Sequence, residues 1–303
     1  MADTKAQSEL HQRYNEGSKS LEDPEVQHMI NQADEMMGKP ARMLIAQAGL
    51  GPSTTTSFNL LDLGCGTGLV ASCVLEVVPP SVLSESKILC TDVNARFVDI
   101  LTQRAQRDKW VNVDAAVGDA QNSGLPEHSF SHVTINFAMH IIPDPAAVLR
   151  DALRILKPGG VLAFSVPDID NGHDGGWIPD LRSALESLPF QTPFPDPMPV
   201  ALHGKPQWVQ PEGIKAELAN HGLIDVKVET IEMIHSVANA ESFLASFAMM
   251  IKWVIETYWT VEQKQQYGDE FNKLLVEHLQ SKHGGKSWDL KSTAILVTAR
   301  TPE

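Results

Sequence analysis

The stretch Leu60–Val70 reads LLDLGCGTGLV: an apolar run with one internal aspartate, three alternate glycines, then the start of a helix. Glycines at 64, 66 and 68 suit a turn whose backbone conformation other residues resist. The apolar run before them fits a strand covered on both faces. A strand that enters a helix through such a turn opens a βαβ unit. The chain around it should therefore alternate strands with helices.

The downstream pattern agrees. Strands are predicted near 59–63, 87–92, 111–117, 130–136 and 160–166, with helices near 68–78, 94–107 and 144–156. KPGG at 157–160 predicts a helix end and a tight turn into the fifth strand. Such alternation gives parallel strands with right-handed crossovers, hence an α/β, doubly wound, Rossmann-like sheet. The first fifty or so residues predict helices, with Met29, Ile30, Met36, Met37, Met43, Leu44 and Ile45 as apolar points and Pro40 as a break. GPSTTTS at 51–57 reads as a linker. Residues 1–57 are thus expected to form a helical lid and linker, and 58–303 the main domain.

Two segments interrupt the pattern, 167–208 and 239–284. Regularity stops after Val166, and LPFQTPFPDPMP at 188–199 carries five prolines, which excludes a helix or a central strand there. A helix near 211–221 and a strand at 223–231 follow. Asn239 is placed to cap a helix running to Trp259, and Thr260 with Gln263 predicts a capping box for another that ends at His283–Gly284. STAILVTAR closes the chain as a strand.

Charge narrows the partners. The 303 residues carry 38 acids and 24 bases, a formal net charge of −14, and no basic cluster. Nucleic acid, which demands an opposing positive surface, is not an expected partner. Cys65, Cys73 and Cys90 form neither a disulfide framework nor a paired metal motif, which points to a reducing compartment. The polar start lacks a secretory signal, and no apolar run reaches the ~18 residues of a membrane span. The expectation is a cytoplasmic protein without a membrane partner.

The glycine turn constrains the ligand. A dinucleotide fingerprint places a third glycine where this chain has Leu69, and it does not gain from Asp62 inside the strand. A carboxylate at 62 repels a pyrophosphate but suits an ammonium. A ligand with an amino-acid end satisfies both features: its carboxylate faces the helix N-terminus and its ammonium faces Asp62. S-adenosylmethionine has that end. Asp92, closing the second strand, is placed to take ribose hydroxyls. Asp119 and the Ala120 amide, after the third strand, can address adenine, with Ile88 or Val93 as an apolar wall. One such aspartate usually caps a helix or shapes a turn; three at successive strand ends indicate a shared ligand.

These residues, with NFAMHIIPDP, LRILKPGG and VLAFSV, resemble the class I S-adenosylmethionine-dependent methyltransferases. The likeness over 59–166 is to the small-molecule branch typified by ubiquinone and menaquinone biosynthesis. The remainder is loosely similar to methyltransferases of fungal secondary metabolism, including the dithiol-methylating type. The resemblance implies a seven-stranded sheet whose last strand, 292–299, inserts antiparallel beside the fifth. It implies cofactor contacts from the backbones of Gly64, Cys65 and Gly66, and places Asn136 and Phe137 beside the sulfonium.

The acceptor is less legible. Asn136-Phe137-Ala138-Met139 lacks the Asn/Asp-Pro-Pro-aromatic tetrad seen in enzymes resembling nucleobase or glutamine methyltransferases. Methyl transfer depends mainly on alignment, and a general base matters only where the acceptor must lose a proton early. His140, four residues past Asn136, is the candidate base; a histidine that merely fixes the loop is the plain alternative. His173 and Asp170 come next. DIDNGHD lacks the ligand spacing of a calcium loop and reads as Asx turns, while His128 and His132 lack a third ligand, so no metal is expected.

The insertions supply His173, Trp177, Phe194, Trp208, Phe247 and Met250 as candidate acceptor contacts. Phe243, Phe247, Met250 and Val254 share one helical stripe, a pattern that more often marks core. Tyr14 is a candidate to close over the cofactor from the N-terminal lid. The expected activity is methyl transfer from S-adenosylmethionine to O, N or S of a small, largely apolar metabolite. The alternatives are a non-methylating scaffold or cyclase on the same fold, or a nicotinamide-dependent oxidoreductase. Oligomeric state is not encoded legibly.

Overall fold

The computed structural model describes residues 17–168, 175–188, 190–195, 198 and 200–303. Seven strands form one sheet in the order β3-β2-β1-β4-β5-β7-β6. They are β1 (Asn59–Leu63), β2 (Lys87–Asp92), β3 (Val113–Val117), β4 (Phe130–Asn136), β5 (Leu156–Pro167), β6 (Ile224–Val237) and β7 (Trp288–Arg300). The first five are mutually parallel; β7 runs antiparallel to both β5 and β6. This is the α/β, doubly wound, seven-stranded architecture with an inserted final strand. The order reverses between β1 and β4, so their carboxyl ends diverge and leave a crevice, the usual ligand position in such sheets.

The alternation of side chains along each strand explains why both faces are covered. Leu61 and Leu63 enter one cluster with Val133, Ile135, Leu162 and Phe164, under α5 (Pro145–Ile155) and α7 (Pro211–Asn220). Leu60, Ile88 and Cys90 enter the other, under α1 (Pro24–Gln47) and α2 (Leu69–Val77). Burying such a leucine contributes about 1.5–3 kcal/mol, so a polar substitution at Leu61 or Leu63 would strike the centre of the fold. The short helix α3 (Pro80–Leu83) and α4 (Ala95–Arg107) complete the first crossovers.

Three local expectations are corrected. The N-terminal helix does not break at Pro40: α1 runs unbroken from Pro24 to Gln47 with Pro40 buried inside it. The proline removes one backbone donor, but the packing of Ala41, Leu44 and Ile45 holds the helix together. KPGG does not precede the fifth strand; it lies inside β5, which starts at Leu156 opposite Phe130 and shifts register before His132–Val161. The segment after Val166 is not uniformly irregular, because α6 spans Ile178–Glu186. Its signal was present: Pro179 in the first turn, then Ile178, Leu181 and Leu185 on one face.

Beyond the sheet proper, β6 and β7 continue as a two-stranded ribbon in which Val237 pairs with Trp288. This ribbon carries α8 (Ala240–Tyr258) and α9 (Val261–His283). Asn239 caps α8, and Thr260 with Gln263 forms the expected capping box on α9. A second hydrophobic cluster joins α6 to these two helices through Leu181, Leu185, Phe243, Phe247, Phe271 and Leu275. Helix α1 is tied to it, since Gln32 Nε2 donates to the Ser246 carbonyl and Lys39 Nζ to the Glu232 carbonyl at 2.7 Å.

Candidate cofactor and acceptor site

The glycine turn lies at the carboxyl end of β1. Gly64 and Gly66 have φ +66° and +53°. A Cβ on Gly64 would lie 3.0 Å from the Ala138 Cβ, so the β4 loop closes on it. A Cβ on Gly66 would meet nothing within 4 Å. The second glycine thus turns an open face outward, a cradle where a ligand can approach the backbone. The Cys65 N–H donates to the Thr91 carbonyl at 3.0 Å, docking the turn on β2.

Asp62 lies beneath this turn, 1% exposed. Its Oδ1 accepts from Thr134 Oγ1 at 2.7 Å, while its buried Oδ2 has no partner. Burial pushes the carboxyl up to about 7, against the Thr134 hydrogen bond, and the nearby Asp92 carboxylate adds to the rise. A buried acceptor without a donor is costly. A ligand ammonium answers both deficits, the missing donor and the missing countercharge.

Asp92 closes β2. Its Oδ2 accepts from the Gly66 N–H and its Oδ1 from the Asn94 N–H, each at 2.9 Å. Both oxygens thus brace the glycine turn and the helix that follows, which fixes the carboxylate at the crevice where ribose hydroxyls are expected. At the end of β3 the Gly118 N–H donates to the Asp92 carbonyl at 3.0 Å, bringing Asp119 and Ala120 alongside. Asp119 is exposed and accepts from the Gln121 N–H at 2.9 Å and its side-chain amide at 3.0 Å; Ala120 is buried. Of the two candidates for the apolar wall, Ile88 lies in the core and Val93 is 54% exposed.

The β4 end is strained. Phe137 has φ +53°, uncommon for an aromatic residue and costing about 1–3 kcal/mol. Ser165 compensates: its carbonyl and Oγ accept the Phe137 N–H at 3.0 and 3.1 Å, and its Oγ donates to Asn136 Oδ1 at 2.7 Å. Such strain, held from a neighbouring strand, aims Phe137 and the following loop. The His140 ring meets Phe137 edge-on with centroids 6.2 Å apart. Its Nδ1 is buried without a hydrogen-bond partner, and burial beside His203 pushes the imidazole down to about 3.

The candidate acceptor residues separate. Trp177 stacks on Phe247 at 6.3 Å, and Phe243 and His235 contact the same ring. Phe194 lies under the Arg182 guanidinium at 4.8 Å, and Met250 is half-buried against the second cluster. Trp208 is placed elsewhere: it is 1% exposed in the sheet cluster beside Val209 and Ile214. Tyr14, His173, Asp170 and Asp174 lie outside the described residues. Asp168 is buried at the end of β5, its N–H donating to the Thr293 carbonyl.

Two residues absent from the sequence candidates, Met36 and Ile141, pack against the second cluster. Their signals were position in α1 and adjacency to His140. His128 and His132 have separate partners, the Leu156 carbonyl and Ser131 Oγ. Among the described residues no three metal-ligating side chains converge. A cleft of 380 Å³ lined by Ser53–Ser57, Ser131 and His132 opens at the amino edge of the sheet, opposite the glycine turn.

Residues 61–164 match the family described as methyltransferase domain. Over that segment, about a third of the chain, the protein is similar to the class I S-adenosylmethionine-dependent methyltransferases, and the glycine turn with Asp62 and Asp92 fits S-adenosylmethionine as cofactor. It is 28% identical over 263 residues to methyltransferase tpcH of Aspergillus fumigatus, covering 86% of this chain and 91% of that one. It is 26% identical over 271 residues to acetylaranotin bis-thiomethyltransferase of Aspergillus terreus, covering 89% and 92%. Among solved structures, phosphoethanolamine N-methyltransferase 2 of Haemonchus contortus with S-adenosylmethionine aligns with a TM-score of 0.52 and 18% identity. That alignment covers 88% of this chain but 53% of the nematode enzyme, so this chain spans about half its length. The [4+2]-cyclase SpnF aligns with a TM-score of 0.50 and 16% identity over 87% of this chain and 80% of that one, a likeness of fold alone. Among the described residues no helix is long and apolar enough to cross a membrane.

Proposed function

We infer that the chain methylates O, N or S of a small, largely apolar metabolite, as its likeness to the fungal methyltransferases suggests. The observation that carries this reading is the second hydrophobic cluster. It gathers Met36 from α1, Ile141 from the β4 loop, Trp177 and Phe194 from the first insertion, and Met250 from the second. These half-buried apolar side chains come from four separate parts of the chain, beside the loop that carries His140. They form the wall of an acceptor chamber, with 167–208 and 239–284 as its cap and the N-terminal helices as its lid. Methionine and aromatic surfaces adapt to apolar ligands of varied shape.

When bound, S-adenosylmethionine supplies a methyl group already activated on a sulfonium. The protein's share is placement. Asp62 would hold the ammonium, Asp92 the ribose, and Asp119 with Ala120 the adenine, while Gly64, Cys65 and Gly66 would supply backbone contacts and Val93 an apolar wall. Asn136 and Phe137 would lie on the side of the sulfonium. A conjugate acid near pKa 3 makes His140 a poor general base at neutral pH. Neutral His140 instead offers a hydrogen bond that orients an acceptor arriving in nucleophilic form, such as a thiolate, phenolate or free amine.

The test incubates purified protein with labelled cofactor and a panel of apolar thiols, phenols and amines. S-adenosylhomocysteine appearing with a methylated product supports the reading. Conversion without S-adenosylhomocysteine would identify a cyclase-like protein instead. Asp92→Ala is expected to weaken cofactor binding by about tenfold or more, the loss of charge-assisted hydrogen bonds.

A further inference from the structure

One face of α4 is given over to the chain that precedes α1. Arg96, 5% exposed, donates from Nε to the Ser18 carbonyl at 2.9 Å and from Nη2 to Glu25 Oε1 at 3.0 Å. One turn on, Asp99 pairs with Lys19 at 2.8 Å. Ile100 joins Leu21, Val26 and Ile30 in a small hydrophobic cluster. At the next turn Gln103 accepts from the Leu21 N–H at 3.4 Å and donates to the Lys19 carbonyl at 2.9 Å. Positions 96, 99, 100 and 103 form a single helical stripe, so residues 17–22 lie along α4 as a strap.

The strap is fastened where the cofactor site begins. Arg96 stands in the first turn of α4, its N–H capped by Asn94 Oδ1 at 2.9 Å. The Asn94 N–H in turn holds Asp92, and Asp92 holds the Gly66 N–H. A continuous hydrogen-bonded chain therefore links strap, α4 cap, ribose carboxylate and glycine turn. Asn94 also keeps a buried Nδ2 without a partner, a donor left for a ligand that Asp92 holds. Gly17 shows how closely the strap is fitted. It has φ +103°, and a Cβ there would lie 2.7 Å from Arg96 Nη2 and 2.8 Å from Glu25 Oε1.

We propose that Arg96 is a positioning residue for cofactor capture: its guanidinium clamps residues 17–25 onto the α4 turn and so fixes Asn94 and Asp92 for the ribose. This rests on the cofactor assignment above. A buried fork that holds a carbonyl and a carboxylate together suits arginine's fixed planar donors, which lysine's single rotatable ammonium reproduces only in part.

The experiment measures S-adenosylmethionine affinity by calorimetry, and the KM of each substrate, for wild type, Arg96→Met, Arg96→Lys, Gly17→Ala and Glu25→Gln. Arg96→Met and Gly17→Ala should each raise the cofactor Kd about tenfold. The acceptor KM, and kcat at saturating cofactor, should stay within about twofold. Arg96→Lys and Glu25→Gln should fall between. Gly17→Ala leaves the arginine in place, so it tests the clamp even where Arg96→Met does not fold. Unchanged cofactor affinity in both Arg96→Met and Gly17→Ala, or equal rises in both KM values, overturns the proposal. A wild type that binds no S-adenosylmethionine overturns the cofactor assignment itself, and the two failures are distinguishable.

Discussion

Asp62 is the residue at which stability and binding pull in opposite directions. Burial holds its carboxyl near 7, above the ordinary 3.8. A group whose folded pKa is raised favours the fold when protonated, and that contribution is lost as pH rises from 3.8 to about 7. Above that window the cofactor-free protein carries an ionised, half-partnered carboxylate, at a cost on the order of a few kcal/mol. Asp62→Asn should therefore raise the Tm of the cofactor-free protein at pH about 8 by several degrees. The ammonium of the cofactor favours the ionised form, so binding to wild type should tighten as pH rises towards about 7 and should release a proton below it. Calorimetry in two buffers of different ionisation enthalpy reads that proton. In Asp62→Asn the affinity should be weaker and its pH dependence lost; an unchanged pH profile would mean that Asp62 does not face the ammonium. The carboxylate itself was legible from spacing, two residues before the first glycine. Its raised pKa was not, because that depends on Thr134, Asp92 and the burial supplied by β4, all remote in sequence.

At the scale of elements, legibility followed covering. β1, β2 and β4 have the bounds expected from the sequence, because each carries a largely buried centre, Leu60–Leu63, Ile88–Cys90 and Val133–Ile135, flanked by polar residues or glycine. The first insertion carried the local signal of α6, but not the partners that the helix meets. Asp180 on that helix is the clearest case. Its side chain accepts from Lys282 Nζ at 2.8 Å, His283 Nε2 at 3.0 Å and Trp288 Nε1 at 2.8 Å, joining α6 to the end of α9 and the start of β7. Burial tends to raise its pKa, but the bonds from Lys282 and His283 outweigh this and hold it below the usual carboxylate value. With its folded pKa depressed, the clasp stabilises above the unfolded carboxylate range and is lost as pH falls through the folded pKa. Asp180→Ala leaves the half-buried Trp288 N–H without its acceptor and should cost about 2 kcal/mol, discounted because Lys282 is partly exposed. Hydrogen exchange should accelerate in Ile178–Glu186 and near Trp288 while β1 and β2 stay protected. Acceleration spread evenly over the sheet would show that α6 is no separate clasp.

At the scale of the molecule, the chain builds two cores with different tasks. The sheet clusters around Leu61, Phe164 and Leu60 lie under the glycine turn and set the positions of Asp62 and Asp92. The second cluster, around Phe243, Phe247 and Phe271, draws on both insertions and reaches the β4 loop through Ile141. Sequence reading located the first core because its periodicity is local. The second escaped it because Leu181, Phe243 and Phe271 meet only after the β6–β7 ribbon has carried α8 and α9 back onto α6. The stripe Phe243, Phe247, Val254 was visible as a stripe, but its neighbours were not. Phe164 and Phe247 are buried to a similar degree, and truncating either to alanine should cost about 3–5 kcal/mol. Their functional consequences should diverge. Phe247→Ala loosens the wall on which Trp177 stacks, so acceptor KM should rise severalfold with cofactor Kd within about twofold of wild type. Phe164→Ala sits between β4 and the inserted β7, opposite Val297, and should weaken cofactor binding together with turnover. Calorimetry paired with a turnover assay that follows S-adenosylhomocysteine separates the two. Equal loss of cofactor affinity in both variants would mean that the second cluster supports the cofactor site as directly as the sheet does, and its reading as an acceptor wall would fall.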